Sequence, residues 1–148
     1  MTDIAYQVEH SVDAPVPAAF AWAWRADVRN WDDPPARFQL DAPFADGAWG
    51  TTHLPGQPPL RWQIRDVHPG RSFVTEMPLD RATLAFEWHF DPISDHHTKV
   101  SQRVILAGDN APAYTPQIQA AFGSTLPASM TRIATAMSTA AAAAQDAR

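Results

Sequence analysis

Seven short stretches of this chain alternate apolar and polar side chains with a period of two, and a single apolar stripe of helical period follows them. That succession constrains the fold more than any other feature. The clearest row is Leu84, Phe86, Trp88 and Phe90, opposed by Ala85, Glu87, His89 and Asp91. Successive side chains of a strand point to opposite faces, so such a segment buries one face and wets the other. The same pattern gives inward rows of Tyr6, Val8, His10 and Val12, then Phe38 and Leu40, then Trp49, Thr51 and His53. Leu60, Trp62 and Ile64 form the next row, followed by Phe73, Thr75 and Met77, and finally Val100, Gln102, Val104 and Leu106. Turn signals at Pro55-Gly56 and Pro69-Gly70 separate the middle strands. No helical stretch intervenes, which predicts an antiparallel meander rather than parallel βαβ units.

Helical signals lie at the two ends of this series. Asp13-Ala14-Pro15 stops the first strand, and Pro17 suits the first turn of a short helix through Ala18, Phe20, Trp22 and Trp24. Asp27 is placed to cap a second short helix ending near Trp31. Thr115 and Pro116 read as N-cap and first residue of a long helix whose stripe is Tyr114, Ile118, Phe122, Leu126, Met130, Ile133 and Met137. Pro127 predicts a kink, and the alanines after Thr139 predict a frayed end with little to pack. The 148 residues suit one domain spanning positions 1–148. The expected architecture is α+β: a sheet of about seven strands curled around the C-terminal helix, with an apolar pocket between them.

Composition excludes several function classes. A net charge of −5 with one lysine, Lys99, and no basic run argues against nucleic acid as a partner. Without cysteine there are no disulfides, thiolate metal sites or cysteine nucleophiles. No segment reaches the roughly 20 apolar residues of a membrane span, and no signal peptide opens the chain, so a cytoplasmic location is expected. Phosphate-binding glycine loops, G-x-S-x-G and H-E-x-x-H are absent from the sequence.

The order of elements resembles the helix-grip fold of the START-like (SRPBCC) superfamily. The local text that carries the resemblance is Ala14-Pro15 with Phe20 opening the first helix, and Asp27-Val28-Arg29-Asn30-Trp31-Asp32 closing the second. The longer run Asn30-Trp31-Asp32-Asp33-Pro34-Pro35-Ala36 looks like the mark of a subfamily related to polyketide cyclases and dehydratases. The resemblance implies a ligand cavity. It does not choose among carriers, cyclases and chaperone activators, since fold does not imply function.

Candidate site residues follow from the inward rows. Trp31, Trp49, Trp62, Met77, Phe86, Trp88 and Phe122 are candidates to line the pocket, the aromatic ones being able to clamp a flat ring. His53, Gln102 and Tyr114 are candidate ligand contacts and the groups to test for proton transfer. His10 falls on an inner face near the start of the chain. Each has a plainer reading as core or rim. The His96-His97 pair sits in an expected turn, where neighbours point apart, so it is no metal site; no metal or cofactor is expected. Glu87, His89 and Arg103 lie on the wet face and read as cross-strand pairs. Asp27, Arg29, Asp32 and Asp33 read as capping and turn chemistry. The leading functional expectation is binding of an apolar, aromatic or lipid-like molecule. A cyclase- or dehydratase-like enzyme is the alternative, a protein-interaction module the third, and a homodimer is compatible with any of them.

Overall fold

A computed structural model describes residues 3–31 and 33–146; Asp32, part of the Asp27–Asp33 segment, lies outside the described residues. The strands are β1 (Ile4–Ala14), β2 (Arg37–Leu40), β3 (Trp49–His53), β4 (Leu60–His68), β5 (Ser72–Leu79), β6 (Ala82–Ser94) and β7 (His97–Ala107). The helices are α1 (Ala18–Arg25), α2 (Thr115–Phe122) and α3 (Leu126–Asp146), with 3-10 turns at Val28–Trp31 and Ala111–Ala113. All strand pairs are antiparallel, in the order β1-β7-β6-β5-β4-β3-β2. The meander thus runs from β2 to β7, and β1 pairs with the last strand rather than the next. The α1 segment must therefore cross from one sheet edge to the other, which places it over the concave face.

Register carries the inner rows across the sheet. His10 of β1 lies opposite Gln102 of β7, Gln102 opposite Trp88 of β6, and Trp88 opposite Phe73 of β5. Facing pairs share one side of a sheet, so this row points toward the helices. Register shifts between Arg65 and His68, where Asp66 has φ 50°, and between Pro92 and Ser94 mark bulges. Bulges bend a strand and raise its twist, which helps the sheet curl.

Phe73 is the centre of the aromatic core. It is fully buried, stacks with Trp31, Trp88 and Phe90 at 6.2–6.4 Å between ring centroids, and meets Phe44 edge-on at 5.1 Å. On the outer face Arg103 pairs with the facing Glu87 at 3.0 Å, and His89 stands 3.9 Å from the same carboxylate. These are the cross-strand pairs expected of wet-face charges.

Four sequence expectations are corrected, one in β3 and three in the tail. In β3 the inward residues are Gly50 and Thr52, not Trp49, Thr51 and His53. Gly50 faces Trp62, whose indole overhangs it so closely that a Cβ at position 50 would collide with the ring. The bulky buried Trp62 thus selects the face on which β3 presents its glycine, and Trp49 turns outward, 38% exposed, under the Arg61 guanidinium at 5.5 Å. Trp49→Ala should therefore cost less than about 1 kcal/mol, the scale of an exposed cation–π contact; a denaturation curve with a clearly larger loss would return Trp49 to the core.

The tail is two helices rather than one kinked helix. α2 ends at Phe122, and Gly123–Thr125 separates it from α3. Pro127 is the second residue of α3, where its missing N–H costs nothing, so it starts a helix rather than bending one. Thr115 is itself the first residue of α2 and Tyr114 precedes it. The alanine run continues α3 to Asp146 although its last residues are exposed, in keeping with the high helix propensity of alanine.

Candidate ligand cavity

The curl of the sheet leaves a cavity of about 430 Å³ between its concave face, α3, and the corner made by α1 and the Val28–Trp31 turn. Its walls follow from three local patterns. From the sheet come alternate residues: Thr52 of β3, Leu60 and Trp62 of β4, Thr75 and Met77 of β5, Phe86 and Trp88 of β6, and Gln102 of β7. From α3 come Ser129, Arg132, Ile133 and Ala136, a stripe beside the core-facing Leu126, Met130 and Met137. Spacings of three and four put both stripes on adjacent faces of one helix.

The corner supplies Trp24, Arg25, Asn30 and Trp31. It is held by its own hydrogen bonds. Asp27 accepts the Arg29 backbone N–H at 3.0 Å and so caps the 3-10 turn. The Arg29 side chain bonded to it holds the Asp27 carboxyl below the ordinary carboxylate range. Asn30 Nδ2 donates to the Trp24 carbonyl at 2.8 Å and Trp31 Nε1 to the Arg25 carbonyl at 2.6 Å. These donors tie the Val28–Trp31 turn to the last carbonyls of α1. Trp22 Nε1 donates to the Ser72 carbonyl at 3.1 Å, tying α1 to β5.

Two of the indoles in the wall are anchored by hydrogen bonds, that of Trp31 as above and that of Trp62. Trp62 Nε1 donates to Thr52 Oγ1 at 2.9 Å, and its ring lies 5.3 Å from that of Trp31. Phe86 meets Phe122 edge-on at 5.4 Å. With their N–H groups engaged, Trp31 and Trp62 offer apolar ring surface to the space between them. Leu60, Asp33, Arg132 and Ala136 are exposed lining residues and mark the mouth.

Of the residues expected from sequence, the cavity brings together Trp31, Trp62, Met77, Phe86 and Trp88, with Gln102 and Phe122 beside them. It does not include Trp49 or His53, which the register of β3 turns to solvent. Nor does it include Tyr114, which is half-buried against the core at the start of α2. His10 shares the inner row with Gln102 but is not in the lining. His96 sits in the β6–β7 turn, its N–H bonded to Ser94 Oγ at 3.3 Å.

Periodicity alone does not single out Arg25 or Thr75 as site residues, yet their polar atoms are the most unusual in the cavity. Arg25 Nε and Thr75 Oγ1 are buried and have no hydrogen-bond partner among the described residues. Buried polar groups are satisfied in the great majority of cases, so both orphans call for an account. Burial pushes the Arg25 guanidinium well below its ordinary value, down to about 9. At neutral pH it still carries its charge. The sequence signal for Arg25 is its position one turn after the buried Ala21, on the core side of α1.

No protein-family model and no curated protein matches the sequence. Solved structures do match the fold. An aromatase/cyclase from a Streptomyces species superposes with a TM-score of 0.69 at 17% identity, covering 89% of this chain and 93% of the other. Norcoclaurine synthase from Thalictrum flavum, as a point mutant with a transition-state analogue, gives 0.68 at 12% identity over 93% and 96%. The same synthase in complex with dopamine and hydroxybenzaldehyde gives 0.69 at 13% identity over 95% and 87%. A seven-stranded antiparallel sheet curled against a long C-terminal helix, matched over nearly the whole length of these structures, is the helix-grip fold, and that is the fold of this chain.

Proposed function

We propose that the protein binds a small, largely apolar molecule with aromatic character inside this cavity, as a carrier or sensor. One observation carries the reading. Four tryptophans (Trp24, Trp31, Trp62 and Trp88) and three phenylalanines (Phe38, Phe86 and Phe122) line a single cavity. A packed core would fill that space, whereas this one leaves ring surface open to a ligand. The volume of about 430 Å³ falls in the range of about 300–1,000 Å³ usual for small-molecule sites. Indole and phenyl walls favour a flat ring over a flexible chain. The fold neighbours named for aromatase/cyclase and norcoclaurine synthase activity support this choice of ligand class.

A cyclase-like reaction is the second reading. Among His53, Gln102 and Tyr114, only Gln102 lines the cavity, and its side chain has no hydrogen bond among the described residues. Asp33 is the one carboxylate in the lining among the described residues. Proton transfer would fall to these groups and to Thr75, so replacing Gln102 and Asp33 together should abolish turnover of any substrate found.

A thermal-shift panel of aromatic, polyketide-like and fatty-acid compounds tests the binding reading. A ligand at 100 times its Kd adds about 2.7 kcal/mol, a rise of roughly 5–10 °C in melting midpoint. Ala136→Trp, placed at the mouth on α3, should remove that rise while leaving the unliganded midpoint near wild type. A panel without a chemically related cluster of hits would reject the reading.

A further inference from the structure

We propose that the ligand carries an anionic group, a carboxylate or an ionised phenol or enol, which docks on the Arg25 guanidinium while its ring lies among the indoles. This rests on the cavity-binding reading above and adds the charge of the ligand to it.

The surroundings of Arg25 are those of a receptor for a planar anion. Its guanidinium lies over the Trp88 ring at 4.4 Å and over the Trp31 ring at 5.4 Å. Cation–π contacts occupy the faces of the plane. They leave the N–H groups around its edge, which need acceptors lying in the plane. The structure supplies one long hydrogen bond, from Nη1 to the Asn30 carbonyl at 3.4 Å, and none from Nη2 or Nε among the described residues. No carboxylate among the described residues is within ion-pair distance of Arg25; Asp33, though in the same lining, forms no ion pair with it. Nε is closed off from the cavity, but the Nη1 and Nη2 groups at the end of the guanidinium match the two oxygens of a carboxylate, which bind arginine through paired N–H donors.

The rest of the corner fits such a role. The Asn30 and Trp31 side chains hold the end of α1, so the Arg25 backbone is fixed before a ligand arrives. Preorganisation of this kind lowers the entropy that binding must overcome. Arg132 at the mouth adds a second positive charge on a protein whose net charge is −5. A purely structural arginine would pair with a carboxylate or reach solvent, because an isolated charge in the interior is strongly disfavoured.

The test uses two probes of the same shape, the anionic 2-naphthoate and the neutral 2-naphthamide, titrated calorimetrically into the full chain. Wild type should bind naphthoate at least about 10-fold more tightly than the amide, the scale of a hydrogen bond to a charged group. Arg25→Met should erase that preference while retaining naphthamide, and should melt above wild type without ligand, since an unpaired charge leaves the interior. Arg25→Lys should keep part of the preference. Equal affinity of wild type for the two probes, or a preference unchanged in R25M, would overturn the anion site and leave the cavity reading standing. Failure of both probes to bind wild type would overturn both.

Discussion

Replacing Phe73 with alanine should lower the unfolding free energy by about 3–5 kcal/mol, the usual cost of deleting a buried aromatic ring. Phe73 is completely enclosed, and four other rings lie within 6.4 Å of its own. The loss is therefore more than transfer to water. Trp31 and Trp88 would each face a void on one side, and the aromatic wall of the cavity would slacken with the core. Against a typical total of about 5–15 kcal/mol, the variant should be poorly stable, with a midpoint depressed by about 10–15 °C. Urea denaturation measures the effect. A loss below about 1 kcal/mol would mean that Phe73 is not the centre of the packing.

Gly50→Val should be nearly as damaging, for the opposite reason. Here a group is added where there is no space. The nearest atoms belong to the six-membered ring of Trp62, which is 2% exposed and tethered through Nε1 to Thr52. The indole must swing away and lose that bond, or β3 must separate from β4. Overpacking of this kind costs about 1–3 kcal/mol, and a β-branched residue beside a tethered ring belongs at the upper end. The cause can be isolated with a double-mutant cycle. Adding Trp62→Leu should make the cost of Gly50→Val much smaller, since neighbouring sites that share a clash are not additive. Fully additive losses would place the defect in the glycine backbone instead.

The two predictions mark where sequence pattern was a reliable guide and where it was not. The row through Phe73, Thr75 and Met77 could be read from alternation alone, as could Leu84 to Phe90 and Val100 to Leu106. Each has several bulky residues in phase, so one face is plainly the buried one. In β3 the two phases are Trp49, Thr51 and His53 against Gly50 and Thr52. Hydrophobicity favours the first, and the structure takes the second, because the partner strand puts Trp62 opposite Gly50. That preference belongs to the pair of strands and cannot be seen in either segment by itself. The same holds for Pro127. As a single residue it breaks a helix, but beside Gly123 it begins a new one.

Arg25 shows the boundary most sharply. Charged residues are ordinarily assigned to solvent, and its place one turn beyond Ala21 was a faint sign to the contrary. Only the crossing of α1 over the concave face brings it between Trp31 and Trp88, residues distant in sequence. What the sequence determined by itself was the local periodicity: which segments are strands, which are helical, and which class of fold can bury those faces together. Tertiary structure decided the phase of β3, the break between α2 and α3, and the unpaired cation in the cavity wall. Periodicity is a property of neighbours along the chain, whereas a clash, a void or a missing counter-charge exists only once distant segments share the same space.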